Sequence, residues 1–329
     1  MNNKMNIQNI DNLKQAIDRI KKSKRICLVS HINPDGDSIG SLLGLGIALS
    51  QFKDKKISLA KIDTIPKRYR FLPGIDSMKK IDENEVFDLV ITLDCSDLDR
   101  LGHSKYIPDN SDFVINIDHH KSNDYFGDIN IVKPNVSSTG EIIYYLLEKM
   151  KLDIDKEIAT SLYVSISTDT GSFKYDNTSS STFKVASKLL SKGIDINKIT
   201  TEIYQSNSLE KTKLLLESLN SLEIHLDNRI GISIVTQEMI KNCDAAIQDA
   251  DGIIEFIRDI DGIEVACVLK EFDKREIKVG FRSKKYIDVA KVAEGFKGGG
   301  HKKASGCTIY NTIEEAKKEV LHQIIKTFR

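Results

Sequence analysis

The stretch VSHINPDGDSIG, Val29 to Gly40, begins as the end of an apolar run and turns abruptly polar. His31, Asp35 and Asp37 crowd together with a Pro and a Gly at that turn. The apolar run RICLVS before it reads as a strand. DSIGSLLGLGIALSQF behind it reads as a helix with an Asp or Ser near its start. Strand, polar loop, apolar helix is the opening of a βα unit, and the chain repeats it. KISLAKI, FDLVITLD (87–94) and FVINID (113–118) read as further strands, and helical patterns follow around 138–150, 155–168 and 179–191. Continuous apolar strands separated by helices predict a mainly parallel sheet covered on both faces, a doubly wound α/β domain.

The second half of the chain has a different pattern. LEIHLDNRIGISIVTQE reads as a hairpin through Asp227 and Asn228, and IEVACVLKEFDKREIKVGFRS as another turning near Asp273 and Lys274. Helical patterns follow Ala245 and Asp288, and a helix from about Thr312 closes the chain. This predicts a smaller α+β domain built on antiparallel pairs. The helical stretch TEIYQSNSLEKTKLLLESLN is interrupted at Ser206, Asn207 and Ser208. The expected division is 1–190, a helical linker over 191–222, and 223–329.

The first-domain strands share a chemical feature at their C-terminal ends. The first runs into His31, Asp35 and Asp37, the third ends on Asp94, and the fourth ends on Asp118 and continues into His119 and His120. In a parallel sheet these ends lie on one edge, where open α/β sheets bind ligands. The helix ending STDTGSF adds Asp169. An Asp at a strand end is by itself commonly a helix cap or turn residue. So many carboxylates at one edge, however, raise one another's pKa unless a cation joins them. Oxygen and imidazole donors without Cys suit Mn²⁺ or Fe²⁺ better than structural zinc. The number of donors exceeds one ion's share, which predicts two divalent ions, a common way to activate water for phosphoester hydrolysis.

Bulk composition excludes several alternatives. The 329 residues carry 48 Lys+Arg and 48 Asp+Glu, so no global positive field draws in a long duplex nucleic acid. Five unclustered Cys, at 27, 95, 243, 267 and 307, argue against a disulfide framework and for a reducing, cytoplasmic setting. The N-terminal MNNKMNIQNIDNLK lacks a signal-peptide core, and IGSLLGLGIALSQF is too short for a membrane span. KKSKR at 21–25 reads as a solvated helix end.

Two further motifs point to an anion. FKGGGHKKASGC places Gly298, Gly299 and Gly300 before His301. Such a run either lets backbone N–H groups approach an anion or forms a flexible loop. Arg282 and Ser283 follow the strand EIKVGF, where the guanidinium can grip a phosphate. With Lys284, Lys285, Lys297, Lys302 and Lys303 they make a local basic patch, sized for a short oligonucleotide. In NVSSTGE, Ser138 or Thr139 caps the following helix, whose free N–H groups can also meet a phosphate.

HINPDGDSIGS, LDCSD, IDHH and STDTGSF, in this order, resemble the DHH phosphoesterase superfamily, and VGFRSK with GGGHKKASGC resembles its DHHA1 domain. The resemblance runs from about residue 10 to 325 and, in length and domain order, points to the NrnA-like branch. It implies a DHH domain and a DHHA1 domain across a cleft, with a hinge near Ser206–Ser208. It implies that His31 and Asp35 hold one ion, Asp37, His119 and Asp169 the other, and that Asp94 bridges them. His120 would face the phosphate and Asp118 would fix an imidazole, with Arg282, Ser283, Gly298–Gly300, His301, Ser138 and Thr139 near the substrate. The activity implied is hydrolysis of short single-stranded RNA, of about two to five nucleotides, to mononucleotides, and of pAp to AMP. Alternatives within the superfamily are a pApA phosphodiesterase or a single-strand exonuclease. GGGH argues against a pyrophosphatase, and the full ligand set argues against a non-catalytic nucleotide-binding module. A homodimer is the default assembly.

Overall fold

The computed structural model describes residues 7–328, so residues 1–6 of the N-terminal stretch considered above lie outside the described residues. The chain divides into two compact units at Ser206/Asn207.

In the first unit, α1 (Ile7–Lys22) leads into β1 (Arg25–Val29), α2 (Gly36–Leu49), β2 (Lys56–Ala60) and a short β3 (Met78–Lys79). There follow β4 (Leu89–Leu93), α3 (Tyr106–Asp109), β5 (Val114–Asp118) and β6 (Ile129–Val132). Four helices complete it: α4 (Thr139–Met150), α5 (Lys156–Asp169), α6 (Ser180–Leu190) and α7 (Ile196–Tyr204). The six strands are ordered β3-β2-β1-β4-β5-β6, and every pairing is parallel. The order reverses between β1 and β4, so the switch point lies where the chain leaves those two strands. β4 is buried at all five positions and β1 at four of five, which is why both read as continuous apolar runs.

α2 is buried along almost its whole length, wedged between the sheet and α5. Gly40 makes the close approach possible: a Cβ there would stand 2.4 Å from the carbonyl oxygen of Ser161 and 2.9 Å from the amide of Ser165. That contact brings the N-terminus of α2, with Asp37, toward the C-terminus of α5, with Asp169. At the other end of the unit, Ile199 and Ile203 of α7 join the same hydrophobic core.

The second unit contains α8 (Leu209–Asn220), β7 (Glu223–His225), β8 (Ile230–Val235), α9 (Gln237–Asn242) and α10 (Ile253–Asp259). It continues with β9 (Val265–Asp273), β10 (Glu276–Ser283), α11 (Val289–Glu294), β11 (Gly299–His301), β12 (Ala304–Ile309) and α12 (Ile313–Lys326). The sheet order is β11-β12-β10-β9-β8-β7. Both expected hairpins are present, but β8 and β9 run parallel, so the sheet is mixed rather than built of antiparallel pairs alone. The intervening α9 and α10 form the crossover that parallel neighbours require.

The glycine run is a second difference. Gly299–His301 is an edge strand pairing antiparallel with Ala304–Ile309 in a tight hairpin, neither a loop nor an open anion nest. Gly300 has φ +140°, and a Cβ on it would meet Ala304 O and Ser305 Cα at 2.6 Å. The glycines let two backbones pack side by side. Among the described residues, no helix is long and apolar enough to cross a membrane.

Candidate active site

The first unit gathers eight acidic and imidazole side chains at the switch point. His31 follows β1, and Asp35 and Asp37 stand at the start of α2. Asp94 follows β4, Asp118, His119 and His120 come from the end of β5, and Asp169 is the last residue of α5. Asp35 is also the N-cap of α2, accepting from the Ser38 amide at 3.0 Å, so the capping reading and the site reading both hold.

Three groups of side chains place donor atoms within 4.8 Å of one another: His31, Asp35 and Asp94; Asp37, His119 and Asp169; and Asp94, His119 and His120. His31 Nε2 lies 3.4 Å from Asp94 Oδ2 and 3.8 Å from Asp35 Oδ1. His119 Nε2 lies 3.5 Å from Asp169 Oδ2, 3.6 Å from Asp37 Oδ2 and 3.7 Å from Asp94 Oδ1. Donors bound to one ion at about 2.1 Å stand about 3.0–3.4 Å apart, so these spacings are slightly open versions of a coordination shell.

His31 supplies the test of fit. Its Nδ1 contacts the Ile32 carbonyl at 2.7 Å, which assigns the proton to Nδ1 and leaves a lone pair on Nε2. That Nε2 is buried without a hydrogen-bond partner and faces carboxylate oxygens. A buried lone pair aimed at anions is unfavourable alone, and a proton or a metal cation between them resolves it. Oxygen and imidazole donors, without thiolate, fit a divalent ion of the Mn²⁺ class.

The electrostatics carry the same conflict. Burial and the charges of Asp94 and Asp35 push the Asp169 carboxyl up to about 8. Burial and Asp94 also raise Asp37, although four donors oppose them. These are the amides of Thr139 and Gly140 at 2.8 and 3.1 Å and the hydroxyls of Ser41 and Ser165 at 3.0 and 2.5 Å. Donors of this kind favour the charged carboxylate. Burial likewise opposes ionisation of Asp94, but His31, His120 and His119 outweigh it and hold its carboxyl below the usual range. Asp94 also has φ +56°, a left-handed backbone that Asp tolerates better than most residues and that commonly marks a functional turn.

His120 differs from its neighbour. Burial alone would lower its pKa, but a 2.7 Å hydrogen bond from Nδ1 to Asp118 and the charge of Asp94 push it up to about 9. The pairing with Asp118 favours its protonated form. Asp118 is wholly buried and accepts from the His119 and His120 amides, His120 Nδ1 and Asn123 Nδ2.

Two residues that sequence reasoning missed, Asn116 and Asn123, tie these turns together. Asn123 Nδ2 lies 2.6 Å from Asp118 Oδ2, 2.8 Å from Asn116 Oδ1 and 3.2 Å from the Cys95 carbonyl. Asn116 Nδ2 donates to the same Cys95 carbonyl and to Thr92 Oγ1, each at 2.9 Å. The buried amides therefore pin the residue after Asp94 to the acidic anchor of His120. Asn123→Ala is expected to lower kcat by roughly tenfold to a hundredfold, the scale of losing an outer partner at a metal site. Its KM should hold, and the alkaline limb of the pH–kcat profile should shift as His120 loses its orientation. Unchanged kcat with an unchanged profile would remove the residue from this role.

Several expected substrate residues are placed otherwise. Ser138 and Thr139 are fully buried. Ser138 caps α4 through the Glu141 amide, and Thr139 gives its amide to Asp37 and its hydroxyl to Asp94 at 3.2 Å. The N–H groups considered for a phosphate are thus occupied by a carboxylate of the site. In the second unit, Arg282 Nε is paired with Glu255 at 3.0 Å, and buried Ser283 donates to Glu264. Glu264 also collects the amides of Lys285, Tyr286 and Ile287, an anion nest filled from within. Gly299, Gly300 and His301 form an exposed sheet edge, and Gly298 packs against Gly306 and Cys307.

Residues 25–166 match the DHH family, N-terminal domain, and residues 231–329 match the DHHA1 domain. The bifunctional oligoribonuclease and PAP phosphatase NrnA of Thermus thermophilus is 30% identical over 91% of this chain and 89% of its own length. The protein of the same name from Bacillus subtilis is 28% identical over 88% of this chain and 90% of its own. The crystal structure of an exopolyphosphatase-related protein from Bacteroides fragilis superposes with a TM-score of 0.90 at 30% identity, covering 96% of both chains. Strand-end carboxylates converging on a His pair, a DHHA1 domain following in sequence and this coverage agree: the chain belongs to the DHH family of phosphoesterases.

Proposed function

We propose that the protein hydrolyses short oligoribonucleotides to mononucleotides and pAp to AMP, using two divalent ions of which Mn²⁺ is the best fit. The observation that carries this reading is the position of Asp94, whose two oxygens face His31 on one side and His119 on the other. A carboxylate so placed suits a bridge between an ion held by His31 and Asp35 and another held by Asp37, His119 and Asp169. Ions held by these residues would supply an activated water and neutralise charge on a phosphoryl group. The imidazolium of His120 stabilises charge on the non-bridging phosphoryl oxygens, and Asp118 keeps it protonated and oriented. Asn116 and Asn123 hold that arrangement in register. In the second unit, the exposed edge Gly299–His301 is the remaining candidate for gripping the substrate. The substrates follow from relatives that share most of the chain and carry both activities in their names.

The test is a product assay with Mn²⁺, offering a 5′-labelled RNA dinucleotide, pAp, pApA, a single-stranded 24-mer DNA and pyrophosphate at equal concentration. Rapid release of mononucleotides from the RNA dinucleotide and of AMP from pAp is expected. Turnover confined to the 24-mer or to pyrophosphate would reassign the chain within the family. Turnover of pApA with no RNA or pAp cleavage would place it in cyclic-dinucleotide breakdown.

A further inference from the structure

Beyond Asp169 the backbone reverses sharply. Gly171, Ser172 and Phe173 are consecutive left-handed residues, with φ of +55°, +59° and +64°. Two of them are not glycine, and a left-handed backbone is strained for such residues. The turn is held by the Ser172 amide on Ser167 O at 2.7 Å and by Phe173, whose ring stacks on Phe183 at 5.4 Å. Its effect is to return Tyr175 over Gly171. A Cβ on Gly171 would stand 2.4–2.6 Å from three atoms of the Tyr175 ring, so only glycine admits the ring there.

Tyr175 nevertheless remains 40% exposed, and Tyr204, 39% exposed, stands close by. The Tyr204 hydroxyl bonds the carbonyl of Ser167 at 3.0 Å, two residues before Asp169. Two exposed aromatic rings thus stand beside the end of α5 that carries Asp169. A packing role alone would explain the contact with Gly171. It does not explain a strained turn that leaves so much of the ring in solvent beside a polar site.

We propose that Tyr175, flanked by Tyr204, is the stacking platform for a nucleobase of the substrate nucleotide held at Asp169. The inference rests on the function proposed above and adds the subsite that receives the base. Gly171 is at most about 7 Å of extended chain from Asp169, within the span of one nucleotide. Stacking uses the π-face that every base carries, so the platform tolerates any base sequence.

The probe is 2-aminopurine riboside 5′-monophosphate, a product analogue that needs no turnover, titrated into Mg²⁺-loaded protein and followed by fluorescence. Wild type and Tyr175→Phe should bind it and quench it. Tyr175→Ala should lose the quench and bind about 5- to 150-fold more weakly. Tyr175→Leu, which keeps bulk over Gly171, should also lose the quench, separating stacking from packing. In steady state, Tyr175→Ala should raise KM for an RNA dinucleotide at constant kcat and leave a dinucleotide lacking the corresponding base unaffected. Full quench and wild-type affinity in Tyr175→Ala, or no quench in wild type, would overturn the platform. If wild type binds and quenches but cleaves no substrate, the proposed activity fails and the platform stands.

Discussion

Asp94→Asn is expected to reduce turnover of an RNA dinucleotide by more than about 10³-fold and to strip the protein of tightly held metal. The side chain is isosteric, and Asn is among the few residues that accept the left-handed backbone at this position, φ +56°. The turn should therefore survive, held by the Asp94 amide on Ile117 O at 3.0 Å and by the two amides on the Cys95 carbonyl. What is lost is charge. Asp94 faces His31 at 3.4 Å, His120 at 3.5 Å and His119 at 3.7 Å, so its carboxylate borders both candidate ion positions. The same substitution removes a negative charge that raises Asp37 and Asp169, so those two carboxyls should titrate lower in the variant. Metal content after dialysis, the circular dichroism spectrum and kcat decide the matter together. Wild-type turnover with two retained ions would end the bridging assignment.

How much of this was legible depended on whether the physics was local. β1, β4 and β5 could be read because burial on both faces makes each a continuous apolar run, and His31, Asp94 and Asp118 are visible where the runs stop. β6 is only four residues, and its place beside β5 comes from pairing across the sheet, which no local pattern reports. The glycine run illustrates the limit more sharply. Three glycines are equally compatible with an anion nest and with two backbones in contact, and only the pairing with Gly306 and Ser305 decides for the second. Thr139 shows the same ambiguity: an N–H at a helix start looks alike whether a phosphate or the Asp37 carboxylate receives it. Arg282 and Ser283 look open to an anion in the sequence because their partners Glu255 and Glu264 are distant in it. Asn116 and Asn123 leave no periodic trace, because a buried amide takes its meaning from its partners, here Thr92, Cys95, Asp118 and each other. The signal available was Asn116 itself, a polar residue inside the apolar strand VINID.

Chelation should abolish turnover, and the metal-free protein should lose thermal stability steadily as pH rises from about 4 to about 9. The sign follows from which groups titrate in that window. Asp169 moves from an ordinary 3.8 up to about 8 on folding, chiefly through burial and the neighbouring carboxylates. His120 moves from 6.5 up to about 9 through Asp118 and Asp94, against the effect of burial. His31 is also raised, by Asp94. For each group the folded form binds its proton more tightly, so its contribution is complete below the unfolded value and disappears as pH passes the folded one. Asp94 and Asp118 are lowered on folding, so their contributions fade only in stronger acid and stay flat across this window. Mn²⁺ should reverse the slope, because a cation favours ionised carboxylates and an unprotonated His31, and binding releases protons. At a free concentration about a hundredfold above Kd it adds about 2.7 kcal/mol, or about 5–10 °C for a unit of roughly 200 residues. The increment should grow between a pH of about 5 and 8. Melting curves with EDTA and with Mn²⁺ across that range test both statements. A metal-free Tm that is level or rises with pH, together with a Mn²⁺ increment that does not change, would mean the carboxylates at this sheet edge are not held together by a cation.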